Sequence, residues 1–326
     1  MKSNILVTGG AGFIGSNIVE NLLTDARVKR VRVLDNLSNG HRHNIKPFLS
    51  NPNFEFVEGD IRDYKVCLDA CKGMDKITHQ AALGSVPRSI KAPLTTNEVN
   101  ISGTLNVFTA AKDSGIERIV YACSSSTYGD SHALPKREEV IGQPISPYAV
   151  TKLVNELYAK VFASLYDMKF IGLRYFNVFG PRQDPYGAYA AVIPLFVKAI
   201  MTQEAPTIYG DGLQSRDFTY VDNAVQANLK ALFTDNQEAF NEVYNIACGE
   251  RTTVLDLYYT LRDIAGFDLD PIFAENRKGD VKHSHADISK AKNYLGYSPE
   301  VSVKAGLAQV YEWYKNQGRL LEQINR

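Results

Sequence analysis

The stretch ILVTGGAGFIGSNIVENLL, Ile5 to Leu23, decides the fold. Its first part, Ile5–Gly9, is a short apolar run that reads as a buried strand. From Ile14 to Ala26 the apolar residues recur at helical spacing instead. Gly9, Gly12 and Gly15 stand between the two. Gly9 allows the tight turn, Gly12 lets the backbone approach a pyrophosphate, and Gly15 lets the helix pack close to the strand. The helix start adds N–H donors and the positive end of a dipole, so Phe13 and Ile14 belong to the same cradle. A lone glycine pattern is a weak signal. A strand before it and a helix after it make it specific.

The rhythm continues outward from this unit. Further candidate strands are Val31–Asp35, Phe54–Asp60, Lys76–Ala82, Arg118–Ser125 and Lys169–Phe176, with later ones at Glu242–Ala247 and Pro271–Ala274. Helical stretches lie between them, among them Val99–Ser114 and Pro147–Tyr166. Strands apolar on both faces, alternating with helices, predict an α/β fold with a doubly wound, Rossmann-type parallel sheet. After Phe176 the rhythm weakens into segments rich in Pro, Gly and aromatic residues. This predicts two units. Residues 1–176 form a dinucleotide-binding domain. Residues 177–326 form a smaller C-terminal α/β substrate lobe, interleaved with the last strands of the sheet and closing over a substrate at the cleft between them.

Composition narrows the function classes. The chain has 326 residues, with 36 Lys and Arg against 36 Asp and Glu, a formal net charge of zero. Nucleic-acid binders carry a basic excess, so no nucleic-acid partner is expected. No apolar run reaches the length of a membrane span. The first strand begins almost at the start, which leaves no room for a signal peptide. Cys67, Cys71, Cys123 and Cys248 form no second pair that would complete a zinc site, and they read as reduced thiols of a cytoplasmic protein. His41 and His43 lie in a polar loop and His283 and His285 alternate as in a strand; neither pair has further ligands at metal spacing, so no metal is expected. His79 and Cys123 read as core residues.

Asp35 ends the second strand, about twenty residues after the glycine loop. A carboxylate there accepts both ribose hydroxyls of adenosine and repels the extra phosphate of NADP, which favours NAD as cofactor. Arg42 is the counterweight, since it has the reach for a 2′-phosphate. Asp60 in GDI, at the end of the third strand, falls where adenine is expected.

The fifth strand runs into CSSSTYGD, Cys123 to Asp130, and about twenty residues later SPYAVTK places Tyr148 and Lys152 four apart on one helix. Residues at that spacing sit one above the other. Oxidising an alcohol requires loss of the hydroxyl proton. A free phenol, with a pKa near 10, is a poor base at neutral pH. An ammonium beside it, together with a nicotinamide cation, favours the phenolate. Ser124 is placed to hydrogen-bond the same substrate oxygen.

With these residues in view, the chain resembles the extended short-chain dehydrogenase/reductases over its full length. The matching segments are TGGAGFIG, DNLSNG, GDIRD, HQAA, NISGT, SSSTYGD, YAVTK, RYFNVFGP and SRDFTYVDN. The resemblance implies that Tyr148 is the base, Lys152 its activator and Ser124 the orienting hydroxyl. It also implies NAD contacts from Asn36, Ser38, Gly40, Ile61, Gln80, Ala81, Ala82, Asn100 and Tyr175, with Tyr148 and Lys152 touching the cofactor too. Relatives that eliminate water or carbon dioxide carry carboxylates where Ser125 and Ser126 stand here. Hydroxyls at both positions leave oxidation and re-reduction at one carbon, which is epimerisation.

Within that family the sequence is most similar to the bacterial UDP-N-acetylglucosamine 4-epimerases. The likeness implies a UDP-sugar substrate whose diphosphate is clamped by Arg216 and Arg277. Asn177, Val192 and Asp280 would touch substrate, and Tyr209 is the candidate to stack on uracil. Gly84, Ala191 and Ser284 are small where enzymes restricted to UDP-glucose and UDP-galactose are bulkier, which implies room for an N-acetyl group. A UDP-glucuronate 4-epimerase is the alternative, and a non-catalytic NAD-sensing module a third reading. Helices Val99–Ser114 and Pro147–Tyr166 match those that pair across a two-fold axis in relatives, so a homodimer is expected.

Overall fold

The computed structural model describes residues 2–186, 190–275 and 282–324. Its centre is a seven-stranded sheet. In chain order the strands are β1 (Ser3–Thr8), β2 (Val28–Asp35), β3 (Phe54–Glu58), β4 (Lys76–His79), β5 (Arg118–Ser124), β6 (Lys169–Tyr175) and β7 (Glu242–Ile246). They lie side by side as β3-β2-β1-β4-β5-β6-β7, every neighbour parallel. The order turns around between β1 and β4, so the crevice for a dinucleotide opens at the C-terminal ends of those two strands.

Alternate residues of each strand feed two cores. Ile5, Val7, Val31, Val33 and Val120 face the helices α1 (Phe13–Thr24) and Val221–Phe233 on one side. Leu6, Leu34, Ile77, Ile119 and Tyr121 face the other, covered by α2 (Thr104–Asp113) and α3 (Pro147–Tyr166). There the Phe108 ring packs against Tyr121, Phe162 and Phe170, with centroids 5.7, 6.0 and 4.8 Å away. Each such side chain contributes about 1.5–3 kcal/mol on burial. Because Phe162 belongs to α3, this cluster locks that helix against β5 and β6 and fixes what its N-terminal turn presents.

The chain after residue 177 re-enters the sheet. β7 pairs along β6 from Glu242↔Ile171 to Ile246↔Tyr175, so the sheet's edge is built by sequence that follows the first lobe segments. The remaining strands are short pairs. Val178–Phe179 pairs with Thr219–Tyr220, Ser215–Arg216 with Thr252–Thr253, and Thr207–Tyr209 with Ile272–Ala274. The candidate strand at 271–274 therefore lies outside the main sheet. The helix expected over 99–114 is divided: a π-helical turn, Glu98–Gly103, leads into α2. Among the described residues no helix is long and apolar enough to cross a membrane.

Candidate active site

A cleft of about 930 Å³ runs along the C-terminal ends of β1, β2, β4 and β5 and up to the small strand pairs. Its floor begins at the glycine loop. Gly9 has φ +71°, and a Cβ there would stand 2.6 Å from the Ala81 nitrogen. A Cβ on Gly15 would stand 2.1 Å from the Gly9 carbonyl oxygen. Only glycine serves at either position. Gly12 is the residue before α1, and no side chain caps the helix there. The first N–H groups of the helix, around Phe13 and Ile14, are thus left for a ligand that lines up with the cleft.

Asp35 sits at the end of β2, 8 % exposed. Its carboxylate accepts the Ala11 N–H at 2.9 Å and the Leu37 N–H at 2.8 Å. Burial pushes its carboxyl up, and those two N–H groups pull it back. An ionised carboxylate has about four acceptor positions, so two remain for a pair of ribose hydroxyls. Asn36, Ser38, Gly40, Asp60 and Ile61 line the same end. Asp60 is held down at about 2 by the Arg62 guanidinium, and it also accepts the Asn36 amide at 2.8 Å. Arg42 turns to Glu58 at 2.5 Å and is not part of the cleft wall, which removes the counterweight to NAD. An uncapped helix start, a glycine cradle that any Cβ would fill and a ribose-facing carboxylate together fit a dinucleotide without a 2′-phosphate.

Beyond the glycine loop the wall is made by Gln80, Ala81, Ala82 and Tyr175. The Tyr175 hydroxyl donates to Gln80 at 3.1 Å and accepts from Asn228 at 2.7 Å, so it orients the amide. His79 bridges Thr8 at 2.6 Å and Thr104 at 2.9 Å, and burial pulls its imidazole down to about 3. It is a neutral core histidine, as its strand-end position suggests. Cys123 is buried too, and burial raises its thiol. Asn100 is fully buried; its amide oxygen accepts the Leu83 N–H (2.7 Å), and its amide nitrogen donates to the Leu83 carbonyl (3.1 Å) and the Thr151 hydroxyl (3.2 Å). It ties the loop after β4 to α3.

The reactive group stands where α3 begins. Ser146 caps the helix by accepting the Ala149 N–H, and Pro147 is its first residue, so SPYAVTK starts a helix at a defined point. Tyr148 therefore projects from the first turn, and Lys152 from the next. Ser124 ends β5. Its hydroxyl oxygen accepts the Ser126 N–H at 3.1 Å and the Ser126 hydroxyl at 2.9 Å. Its own proton is left for the phenol, whose pKa it lowers. Burial acts more strongly and in the opposite sense on Tyr148, raising the phenol. Lys152 is 4 % exposed; its ammonium donates to the Ala122 carbonyl at 2.9 Å and lies 5.9 Å from the Tyr148 ring centre. Burial lowers the amine to about 8, while Cys123 and then the Glu156 carboxylate, one turn further along α3, pull it back up. Glu156 is itself held by Arg174 in a buried two-pronged pair at 2.9 and 2.7 Å. The arrangement can move a proton at an alcohol oxygen set between Ser124 and Tyr148.

The chain after residue 176 supplies Asn177, Arg216 and Ser284 to the lining of the same cleft, which Gly84, Ser125 and Ser126 also line. Asn177 has φ +35°, a left-handed conformation that Asn tolerates, and its amide donates to the Asp217 carbonyl at 3.2 Å. A Cβ on Gly84 would meet nothing within 4 Å, so that wall is open. Asn177 and Arg216 also border a second cavity of about 570 Å³, together with Ala191, Val192 and Tyr209. The two cavities thus share one rim. Arg277 and Asp280 lie outside the described residues. His283 and His285 bond Ser215 at 2.9 Å and the Gly249 carbonyl at 3.0 Å. Lys136, which no sequence pattern marked, lines the main cleft as well.

The NAD dependent epimerase/dehydratase family matches residues 5–247. A UDP-glucose 4-epimerase from Mycolicibacterium smegmatis is 35% identical over 316 residues, 96% of this chain and 99% of that protein. A solved UDP-N-acetylglucosamine 4-epimerase from Methanobrevibacter ruminantium, in complex with UDP-N-acetylmuramic acid, superposes with a TM-score of 0.90 at 40% identity, covering 97% of this chain and 100% of that one. A UDP-glucuronic acid 4-epimerase from Bacillus cereus, bound to UDP-glucuronic acid and NAD, gives a TM-score of 0.88 at 33% identity and covers 96% and 99%.

Proposed function

The chain belongs to the NAD dependent epimerase/dehydratase family, and from that premise we propose that it inverts C4 of UDP-N-acetylglucosamine to give UDP-N-acetylgalactosamine, and the reverse. Its cofactor is NAD, and its reaction class is that of the nucleotide-sugar 4-epimerases. NAD, when bound, supplies the hydride acceptor and donor at the sugar carbon. The chain's own residues do the rest. Ser124 holds the C4 oxygen, and Tyr148, as the phenolate, takes its proton as the 4-keto sugar forms and gives it back to that oxygen once the sugar has turned its other face to the cofactor. Lys152 keeps positive charge one helical turn away. The lobe keeps hold of the nucleotide through Arg216 and the groups around the second cavity. That grip lets the keto sugar turn over without escaping.

Among the described residues, the carboxylates that line the main cleft are Asp35, at the end of β2, and Asp60, just past β3, both at the far end from Tyr148. The positions beside Ser124 are hydroxyls, so among the described residues an elimination has no carboxylate acid and base beside Tyr148. The observation that carries the choice of sugar is the open space at Gly84 in a cleft that the small Ser284 also lines. An N-acetyl group needs that volume, and glucose does not. Initial rates on UDP-GlcNAc, UDP-glucose and UDP-glucuronate, measured separately with the C4 configuration of each product read by NMR, test both parts. C4 inversion fastest on UDP-GlcNAc is expected. Inversion fastest on UDP-glucuronate moves the assignment to the uronate enzymes, and no inversion on any of the three overturns it.

Two further readings belong here. Val150, Leu157, Val161 and Leu165 form an exposed apolar stripe along the outer face of α3, which fits a homodimer built on that helix. Sedimentation of the holoenzyme at twice the chain mass is the expected result. The described cysteines are all free thiols, in keeping with a cytoplasmic enzyme.

A further inference from the structure

Three lysine or arginine side chains are buried among the described residues: Lys136, Lys152 and Arg174. Arg174 has the Glu156 carboxylate in a two-pronged pair. Lys152 sits in the field of the same carboxylate. Lys136 pairs with no anion among the described residues. It is 4 % exposed, its ammonium donates to the Ser131 carbonyl and passes 5.9 Å from the Tyr128 ring centre, and burial is the one influence on its pKa, downward. An ammonium has three N–H donors and no acceptor. One goes to Ser131, and the rest are unspent. Burying a charge in that state is unfavourable unless something pairs with it.

The backbone around Lys136 is built to keep it there. Its N–H donates to the His285 carbonyl at 2.7 Å, and its carbonyl accepts the Asp287 N–H at 2.9 Å and the Asn245 amide at 2.9 Å. These bonds stitch residue 136 to the segment that carries Ser284. Lys136, Ser284, Ser126 and Tyr128 all line the main cleft. The hydroxyls there both donate and accept, so they suit the ring hydroxyls of any hexose. The ammonium only donates. Its complement is an oxygen that only accepts.

We propose that Lys136 is a specificity-determining residue whose ammonium takes a carbonyl or carboxylate oxygen that the sugar carries beyond its ring hydroxyls. The chemical class of substrate is a nucleoside diphosphate sugar bearing an N-acyl or a uronate group. This rests on the nucleotide-sugar reading above and sharpens it, because it selects by hydrogen bonding where Gly84 and Ser284 select by volume.

The test is equilibrium binding of UDP-GlcNAc, UDP-glucuronate and UDP-glucose to the NAD-loaded enzyme, for wild type, Lys136→Met and Lys136→Arg. Wild type should bind at least one acceptor-bearing sugar about tenfold or more tighter than UDP-glucose. Lys136→Met should shrink that preference about 10- to 100-fold, and Lys136→Arg should restore part of it. Selective loss on UDP-GlcNAc assigns the amide, selective loss on UDP-glucuronate the carboxylate, and loss on both the shared oxygen. Equal weakening of all three sugars, as a merely structural lysine would give, overturns the proposal. If Lys136→Met does not fold, the wild-type comparison still decides, because no preference over UDP-glucose also overturns it. Turnover is scored apart from binding: tight, Lys136-dependent binding without C4 inversion would sink the epimerase reading and leave this one standing.

Discussion

The two walls of the cleft are built from unlike material. One is the ends of long parallel strands and the first turns of α1 and α3, each backed by a core that fills both faces of the sheet. The other is strand pairs two or three residues long, tied by side-chain and backbone bonds such as those of Asn177 and Lys136. The first wall carries the glycine loop, Asp35 and the Ser124, Tyr148 and Lys152 group. The second carries Asn177, Arg216 and Ser284, which the proposed function assigns to the nucleotide and the sugar. The difference teaches a division of labour. Chemistry common to every substrate is placed where packing fixes it most firmly, and selectivity is placed on segments whose residues can change without disturbing the core.

Substitutions that tell the walls apart sharpen this contrast. The largest effect is expected at Tyr148. Tyr148→Phe should lower kcat about 10²- to 10⁴-fold on every nucleotide sugar alike, with NAD content after purification as in wild type. A loss that depended on the sugar would break the contrast. Asp35→Ala comes next. It removes a charged acceptor from the ribose and should cost about 10- to 100-fold in NAD affinity, read as cofactor lost on gel filtration, while melting at saturating NAD reports the fold. On the other wall, Ser284→Tyr should cut kcat/KM about tenfold or more for UDP-GlcNAc relative to UDP-glucose, because the side chain fills the space an N-acetyl group needs. Equal losses on both sugars would remove the volume argument.

The smallest effect is in pH dependence. Burial brings the Lys152 amine down to about 8. Raising the pH through that value removes the charge beside the phenol, so kcat should be about half its plateau there and fall further above it. A profile flat to well above that point would show that the charge on Lys152 is dispensable. The same shift has a stability sign. The unfolded chain still holds this proton above pH 8, up to the ordinary lysine value, so this group makes the fold gain stability as the pH rises across that window.

The contrast also explains what could be read from the sequence. The glycine loop, Asp35 and the SPYAVTK helix start were legible because local rules set them: a strand period, a helix period, a cap and a turn that only glycine makes. The reappearance of the chain at the sheet edge as β7 was legible for the same reason. The helix at 99–114 was legible as an element but not as a π turn followed by α2; Asn100 stands in that turn, and its partners Leu83 and Thr151 are distant in sequence. The family resemblance marks Asn100 as a cofactor contact, but its bonds to the loop after β4 could not be read from sequence. The strand pairs at 178–179, 215–216 and 252–253 are too short to have a period. Lys136 was invisible because it stands in the charged run KREE, and nothing in that run says that two of its charged residues, Lys136 and Glu138, are buried.

The claim at the centre is that C4 is inverted without net oxidation, on NAD that stays with the protein. The direct measurement starts the purified holoenzyme, with no cofactor added, from UDP-GlcNAc in one tube and UDP-GalNAc in another, and follows both by NMR with absorbance at the reduced nicotinamide band. Both tubes should converge on one mixture with no build-up of reduced cofactor or keto sugar. Conversion that stops after about one turnover, needs added NAD for each further turnover or leaves a stoichiometric keto product would contradict it.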